Sequence, residues 1–269
     1  MKKKILCITM IMLMAFGVFA LTGCGGSDNS SDTEKLVIGL DDTFAPMGFR
    51  DEKGNLVGFD IDLANAVGEE LGLEVEFKPF DWNAKETELE AGTIDCVWNG
   101  MSITPERQEK MALSNKYLNN KIVLMTLADS DTDVTDAAQL ADLKIGTQVD
   151  SSALEMLKAN EAYDSFKDNI SEYDTYDTAI MDLKAGRVNV IAVDQVLGEY
   201  TNKNLGGEMK ECTYSLGDDY YVIGFAKDNT ELRDKVNDAI KALVDNGKAA
   251  DISNDWFGKN IVVFEPLED

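Results

Sequence analysis

Short apolar runs and amphipathic segments alternate along this chain, and the alternation comes round twice. Lys35-Leu36-Val37-Ile38-Gly39-Leu40 reads as a short buried strand. After a turn at Gly54-Asn55, Leu63, Ala66, Val67 and Leu71 fall at helical spacing and Gly72 closes the helix. Leu73 to Phe77 then alternates as a strand does. A strand, a helix and a strand in that order predict a parallel sheet with the helix as its crossover. A further helix over 84–91, ended by Gly92, leads to the apolar run Ile94–Trp98. The second round begins at the strand end Lys144-Ile145-Gly146, turns at Asp150-Ser151-Ser152, and continues with helices over 153–159 and 178–185. Its strand, Val188–Val193, stops at Asp194. Tyr220–Ala226 predicts another strand, and Leu232, Val236, Ile240 and Leu243 a long amphipathic helix ended at Asn246-Gly247. Two α/β units over residues 35–269 suggest two lobes. Ligands of such sheets bind beyond the strand ends, so polar residues just past a strand are the first candidates.

The stretch Asn99-Gly100-Met101-Ser102-Ile103-Thr104-Pro105-Glu106-Arg107 follows one of those runs. Thr104 suits an N-cap, and Pro105 suits the first helical position, where its missing N–H costs nothing. Arg107 then falls in the first turn. The Ser102 hydroxyl, free backbone N–H groups near Gly100 and Ser102, and a guanidinium fork converge on one spot. Such a donor set suits a small carboxylate held by two charge-assisted bonds. The competing reading is an ordinary capped helix whose Arg pairs with a surface Glu.

The N-terminus reads as a targeting segment. Lys2, Lys3 and Lys4 precede the apolar run Ile5–Ala20, and Leu21-Thr22-Gly23-Cys24 follows. That ending resembles the lipobox of bacterial lipoproteins, which implies a signal peptide over 1–23 and a lipidated Cys24. Residues 24–34, Gly/Ser/Asp-rich, read as a flexible tether. Losing residues 1–23 removes three lysines and no acid, taking the net charge from −25 to −28. A body this acidic repels nucleic acid and anionic lipid. No second apolar stretch is long enough to span a membrane, so the lipid is the only expected membrane contact. The chain contains no histidine, which removes Ser-His-Asp and Cys-His catalysis and His-based metal sites. Beyond Cys24 only Cys96 and Cys212 remain, without metal-ligand spacing, so no metal and no cofactor are expected.

The body resembles the family 3 extracellular solute-binding proteins, the polar amino-acid receptors of ABC importers, in order from Leu36 to Phe257. The matching pieces are Gly39–Pro46 (GLDDTFAP), Gly58–Ala64 (GFDIDLA), Ala91–Asp95 (AGTID), Met101–Arg107 (MSITPER), Leu183–Val188 (LKAGRV), Val193-Asp194 and Trp256-Phe257-Gly258. The resemblance implies a two-lobed α/β fold of the periplasmic-binding-protein type II class, with two hinge crossovers. It puts lobe 1 at 35–119 plus 222–269, lobe 2 at 123–218, and hinge strands near Asn119–Lys121 and Asp219–Tyr221. It makes Arg107 the holder of a ligand α-carboxylate, with Ser102 and Gly100 contacting the α-groups and Asp194 pairing with the α-ammonium. Ser151 and Ser152 match a lobe 2 helix start that adds donors to the carboxylate. Phe44 and Trp82 match aromatic walls, and Asp41 a contact to polar or cationic side chains. Asp150 stands where relatives often carry Gly, and is expected to point away from the ligand. Lys85 and Glu86 stand where many relatives are aliphatic, and Trp98 fits either core or pocket wall.

The implied function is a lipid-anchored extracytoplasmic receptor, a monomer, that captures a polar amino acid and delivers it to an ABC permease and ATPase. Glutamine, cystine, lysine, arginine and histidine all fit the implied pocket. The alternatives are an enzyme on the same fold, resembling cyclohexadienyl dehydratases, and a surface ligand sensor or adhesin.

Overall fold

A computed structural model describes residues 34–267; the expected signal peptide, Cys24 and all but the last residue of the expected tether lie outside the described residues. From the N-terminal side the elements are β1 (Lys35–Leu40), the hairpin strands β2 (Thr43–Phe44), β3 (Gly48–Arg50) and β4 (Leu56–Val57), and α1 (Phe59–Leu71). Then come β5 (Glu74–Pro79), α2 (Lys85–Glu90), β6 (Cys96–Ser102), α3 (Pro105–Lys110), β7 (Met111–Leu113) and the long β8 (Lys116–Leu127). The second round holds β9 (Ile145–Gln148), α4 (Ser152–Lys158), α5 (Tyr163–Phe166), β10 (Ile170–Tyr173), α6 (Tyr176–Lys184), β11 (Val190–Asp194) and α7 (Gln195–Asn204). An 18-residue strand, β12 (Met209–Ala226), leads back to α8 (Thr230–Asp245), α9 (Lys248–Phe257) and β13 (Val262–Glu265).

The strand order β10-β9-β11-β8-β12-β6-β1-β5 explains the architecture. Each end of the sheet is a parallel trio, β6-β1-β5 at one side and β10-β9-β11 at the other, as the βαβ patterns predict. The long strands β8 and β12 lie antiparallel between the trios. In this ladder Asn119, Asn120 and Lys121 face Tyr220, Asp219 and Asp218, so the two expected crossover segments run side by side.

Burial follows the periodicity. α1 presents Phe59, Leu63 and Val67 inward, all fully buried, each contributing about 1.5–3 kcal/mol relative to exposure. Gly72 ends the helix in the left-handed region at φ 68. The second trio covers its own core of Ile122, Leu124, Leu140, Ile145, Leu157, Phe166 and Val190. Cys96 and Cys212 are both free and buried, the first in the large core around α1 and α8, the second in the core of the second trio.

Two readings need correction. The run expected to stop at Trp98 continues as strand to Ser102, because Met101 is also buried and pairs beside Val222 of β12. The Gly100 N–H is therefore not free: it donates to Asp60 Oδ2 at 2.7 Å. Trp98 is core, fully buried with its ring edge-on to Tyr117 at 6.1 Å.

Candidate functional site

β6 delivers the first half of the site. Its last residue, Ser102, precedes Thr104, whose hydroxyl accepts the Arg107 N–H at 3.1 Å and caps α3 behind Pro105. This turn brings Arg107 back over the strand end: Nη1 donates to the Ser102 carbonyl at 2.9 Å. Nη2 donates to the Asp150 carbonyl, also at 2.9 Å. Three of the five guanidinium N–H donors remain for a ligand. Gly100 holds φ 54, and a Cβ there would sit 2.7 Å from the Phe44 ring. Only a glycine lets the strand approach that aromatic so closely.

The second half comes from the other trio. β9 ends at Gln148, and Asp150, at φ 56, turns its carbonyl toward Arg107 and toward Trp82 Nε1, which donates to it at 3.1 Å. The Asp150 carboxylate points instead at Lys85 Nζ, away from the cavity as expected. Ser151 accepts the Leu154 N–H and caps α4; Ser152 Oγ reaches Ser102 Oγ at 2.9 Å. Asp194 ends β11 and accepts from Asn120 Nδ2 at 2.7 Å and from the Tyr221 hydroxyl at 2.9 Å.

These residues surround one small, tightly closed cavity. Phe44, Trp82, Gly100, Ser102, Arg107, Ser151, Ser152 and Asp194 all line it. Asp41 lines the neighbouring crevice instead, where its carboxylate accepts from Thr43 and, at 2.9 Å, from Gln148 Nε2. Asn99, Gln148 and Tyr176 complete the wall, and sequence reasoning did not pick them. Gln148 had a signal, as a polar residue at a strand end. The Asn99 Nδ2 and Tyr176 hydroxyl are buried without a partner among the described residues. Lys85, which the sequence left between a pocket charge and a solvated one, is fully buried, 4.9 Å from the Trp82 ring centre, with Arg107 5.5 Å from the same ring.

The electrostatics are those of a buried, charged cleft. Burial pushes the Asp194 carboxyl up, the Asp219 charge adds to this, and the Tyr221 and Asn120 donors pull it back. Asp219 is likewise raised by burial and held down by Ser102 and Asn120. Burial and the Arg107 charge lower Lys85, while Asp150 opposes them. One buried guanidinium with spare donors thus stands across a small cavity from a buried carboxylate, an arrangement complementary to a zwitterion.

Residues 36–259 match the model of the bacterial extracellular solute-binding proteins, family 3. The chain belongs to that family and has its two-lobed type II periplasmic-binding fold. It is 29% identical over 265 residues to the arginine-binding extracellular protein ArtP of Bacillus subtilis, covering 96% of this chain and 98% of that one. It is 27% identical to the L-cystine-binding protein TcyJ of Escherichia coli, over 84% of each chain. Among solved structures it resembles an ABC uptake transporter substrate-binding protein from Streptococcus pneumoniae with bound histidine, at 37% identity and TM-score 0.79, over 85% of this chain and 94% of that one. These relatives are amino-acid-binding proteins, and this chain is an extracytoplasmic substrate-binding protein of the same kind.

Proposed function

We propose that this protein captures a free polar amino acid in the cavity between Arg107 and Asp194 and presents the closed complex to an ABC permease. The observation that carries the reading is the convergence of Arg107, Ser102, Ser152 and Asp194, from opposite sheet ends, on one small space. Arg107 takes the α-carboxylate and Asp194 the α-ammonium. Phe44, Trp82 and Tyr176 enclose the side chain, which suits arginine or histidine, the ligands of two relatives, through ring faces that attract cations. At the α-group end Gly100 allows the backbone its close approach and Ser151 caps α4 behind Ser152, and Asp41 acts on the side chain through Gln148.

Lobe 1 comprises 35–119 plus 222–269 and lobe 2 comprises 123–218, hinged at Asn119–Lys121 and Asp219–Tyr221. An open form binds ligand on lobe 1; Asp194 and Ser152 reach it only on closure, so ligand shifts the hinge equilibrium by that differential affinity. Lipid at Cys24 holds the monomer near its transporter. The protein is a receptor and not an enzyme, in keeping with relatives that are binding proteins. A thermal-shift panel of the common amino acids on refolded protein tests this. A ligand at about 100 times its Kd adds about 2.7 kcal/mol of stability, and a hit should vanish in Arg107→Ala. No shift with any amino acid overturns the reading and leaves the dehydratase-like and sensor alternatives.

A further inference from the structure

Asp219 lies in β12 beside Asn120, is buried, and does not line the cavity. Its Oδ2 nevertheless stands at the centre of the ammonium end. It accepts from Ser102 Oγ at 2.7 Å and from Asn120 Nδ2 at 2.8 Å. The same Asn120 nitrogen donates its other proton to Asp194, and Asn120 Oδ1 accepts from the Val196 N–H, which fixes the amide's orientation.

A serine hydroxyl has one proton and two lone pairs. Ser152 Oγ and Asp219 Oδ2 both stand as acceptors for that one proton, at 2.9 and 2.7 Å; the charged carboxylate is the stronger acceptor, so Asp219 takes the Ser102 proton and leaves the oxygen's lone pairs to the cavity. We propose that Asp219 is the positioning residue that makes the Ser102 oxygen an acceptor toward the ligand and thereby selects an α-ammonium over an α-hydroxyl. The inference rests on the amino-acid reading. An ammonium can donate to Asp194 and Ser102 together. An α-hydroxyl carries one proton, so it leaves one of those buried acceptors unpaired, a costly outcome for a buried polar group. Without Asp219 the Ser102 proton is no longer held on the far side of the oxygen and is divided between Ser152 Oγ and the cavity, where it repels an ammonium and can donate to a hydroxyl oxygen.

The test is calorimetric titration at pH 8 with L-arginine and L-histidine and with their α-hydroxy acid analogues. Wild-type protein should prefer the amine strongly, and Asp219→Ala should reduce that preference by about 10-fold or more. Asp219→Asn keeps an acceptor oxygen and should retain most of it. A merely structural role for Asp219 would weaken amine and hydroxyl ligands alike and leave their ratio unchanged. A ratio in Asp219→Ala within about 2-fold of wild type therefore overturns the proposal. If that variant does not fold, Ser102→Ala decides: it should lose the same preference, and keeping it refutes the assignment. Wild-type protein that binds no amino acid fails the functional reading, and this inference with it. Wild-type binding with an unaltered ratio in the variants fails this inference alone.

Discussion

Removing either member of the Lys85–Asp150 ion pair should weaken ligand binding, but by very different amounts. Lys85 on α2 is fully buried, whereas the Asp150 side chain is 39% exposed. Lys85 is in proposed lobe 1 and Asp150 in proposed lobe 2, so the pair exists only when the cleft is closed. Asp150→Asn leaves an ammonium buried in the closed form, with the Glu86 carboxylate at 3.5 Å and the Trp82 carbonyl as its remaining partners. Stranding a buried charge costs about 3–5 kcal/mol, and those residual partners reduce this to about 2 kcal/mol, or roughly 30-fold in Kd. Lys85→Met strands only a carboxylate already in contact with water, a loss of about 0.5–1 kcal/mol, or roughly 2- to 5-fold. The open form feels neither change, because Lys85 then meets water. Stopped-flow dissociation should therefore show both effects in koff, with kon and the ligand-free Tm nearly unchanged. The Asp150→Asn deficit should also shrink as pH rises, since burial and Arg107 already lower the Lys85 pKa and its neutral form needs no partner. Equal effects of the two substitutions, or a larger one from Lys85→Met, would refute the reasoning.

Other perturbations have equally definite outcomes. Arg107→Lys keeps the charge but loses the fork that spans the Ser102 and Asp150 carbonyls, and should weaken binding by about 100-fold in calorimetry. Gly100→Ala puts a Cβ at φ 54 against Phe44, Met47 and Tyr221, and should lower stability by about 1–3 kcal/mol in urea melts as well as binding. Ligand-free protein should lose stability between about pH 5 and pH 7.5, by up to about 1.4 kcal/mol per pH unit for each buried acid. Burial beside the Gly100 N–H and the Tyr117 hydroxyl raises the Asp60 carboxyl to about 7, and cleft opening leaves that pocket intact, so the folded state binds more protons than the unfolded state in that window. A Tm that rises from pH 5 to 7.5 contradicts this.

The sequence reading went furthest where structure is locally encoded. α1 is legible because its buried residues repeat at helical spacing and Gly72 ends it. Ser102, Thr104, Pro105 and Arg107 are legible because the cap, the turn and the guanidinium bond all join residues within five positions. Beyond the hinge strand implied near Asn119–Lys121 by resemblance, β8 left no local pattern, because Asn119, Asn120 and Lys121 interrupt its apolar residues; its place between two other strands gives it its structure. α7, with Gln, Glu, Thr, Asn and Lys spread round it, buries only Leu197 and Gly198. The bonds that finish the site were beyond local pattern altogether. Lys85 meets Asp150 across 65 positions, Asp41 meets Gln148 across 107 and Ser102 meets Asp219 across 117. Lys85 illustrates the consequence: a lysine at a helix start reads as solvated until a carboxylate from the opposite side of the cleft covers it.

The central claim is that the cavity grips the α-carboxylate and α-ammonium of one amino acid. Calorimetric titration of the strongest amino acid from the thermal panel, beside its methyl ester and its N-acetyl derivative, tests that grip most directly. The geometry of Arg107 and Asp194 predicts a one-to-one complex with the free amino acid and at least about 100-fold weaker binding of both blocked forms. Blocked forms that bind as well as the free amino acid would contradict the account.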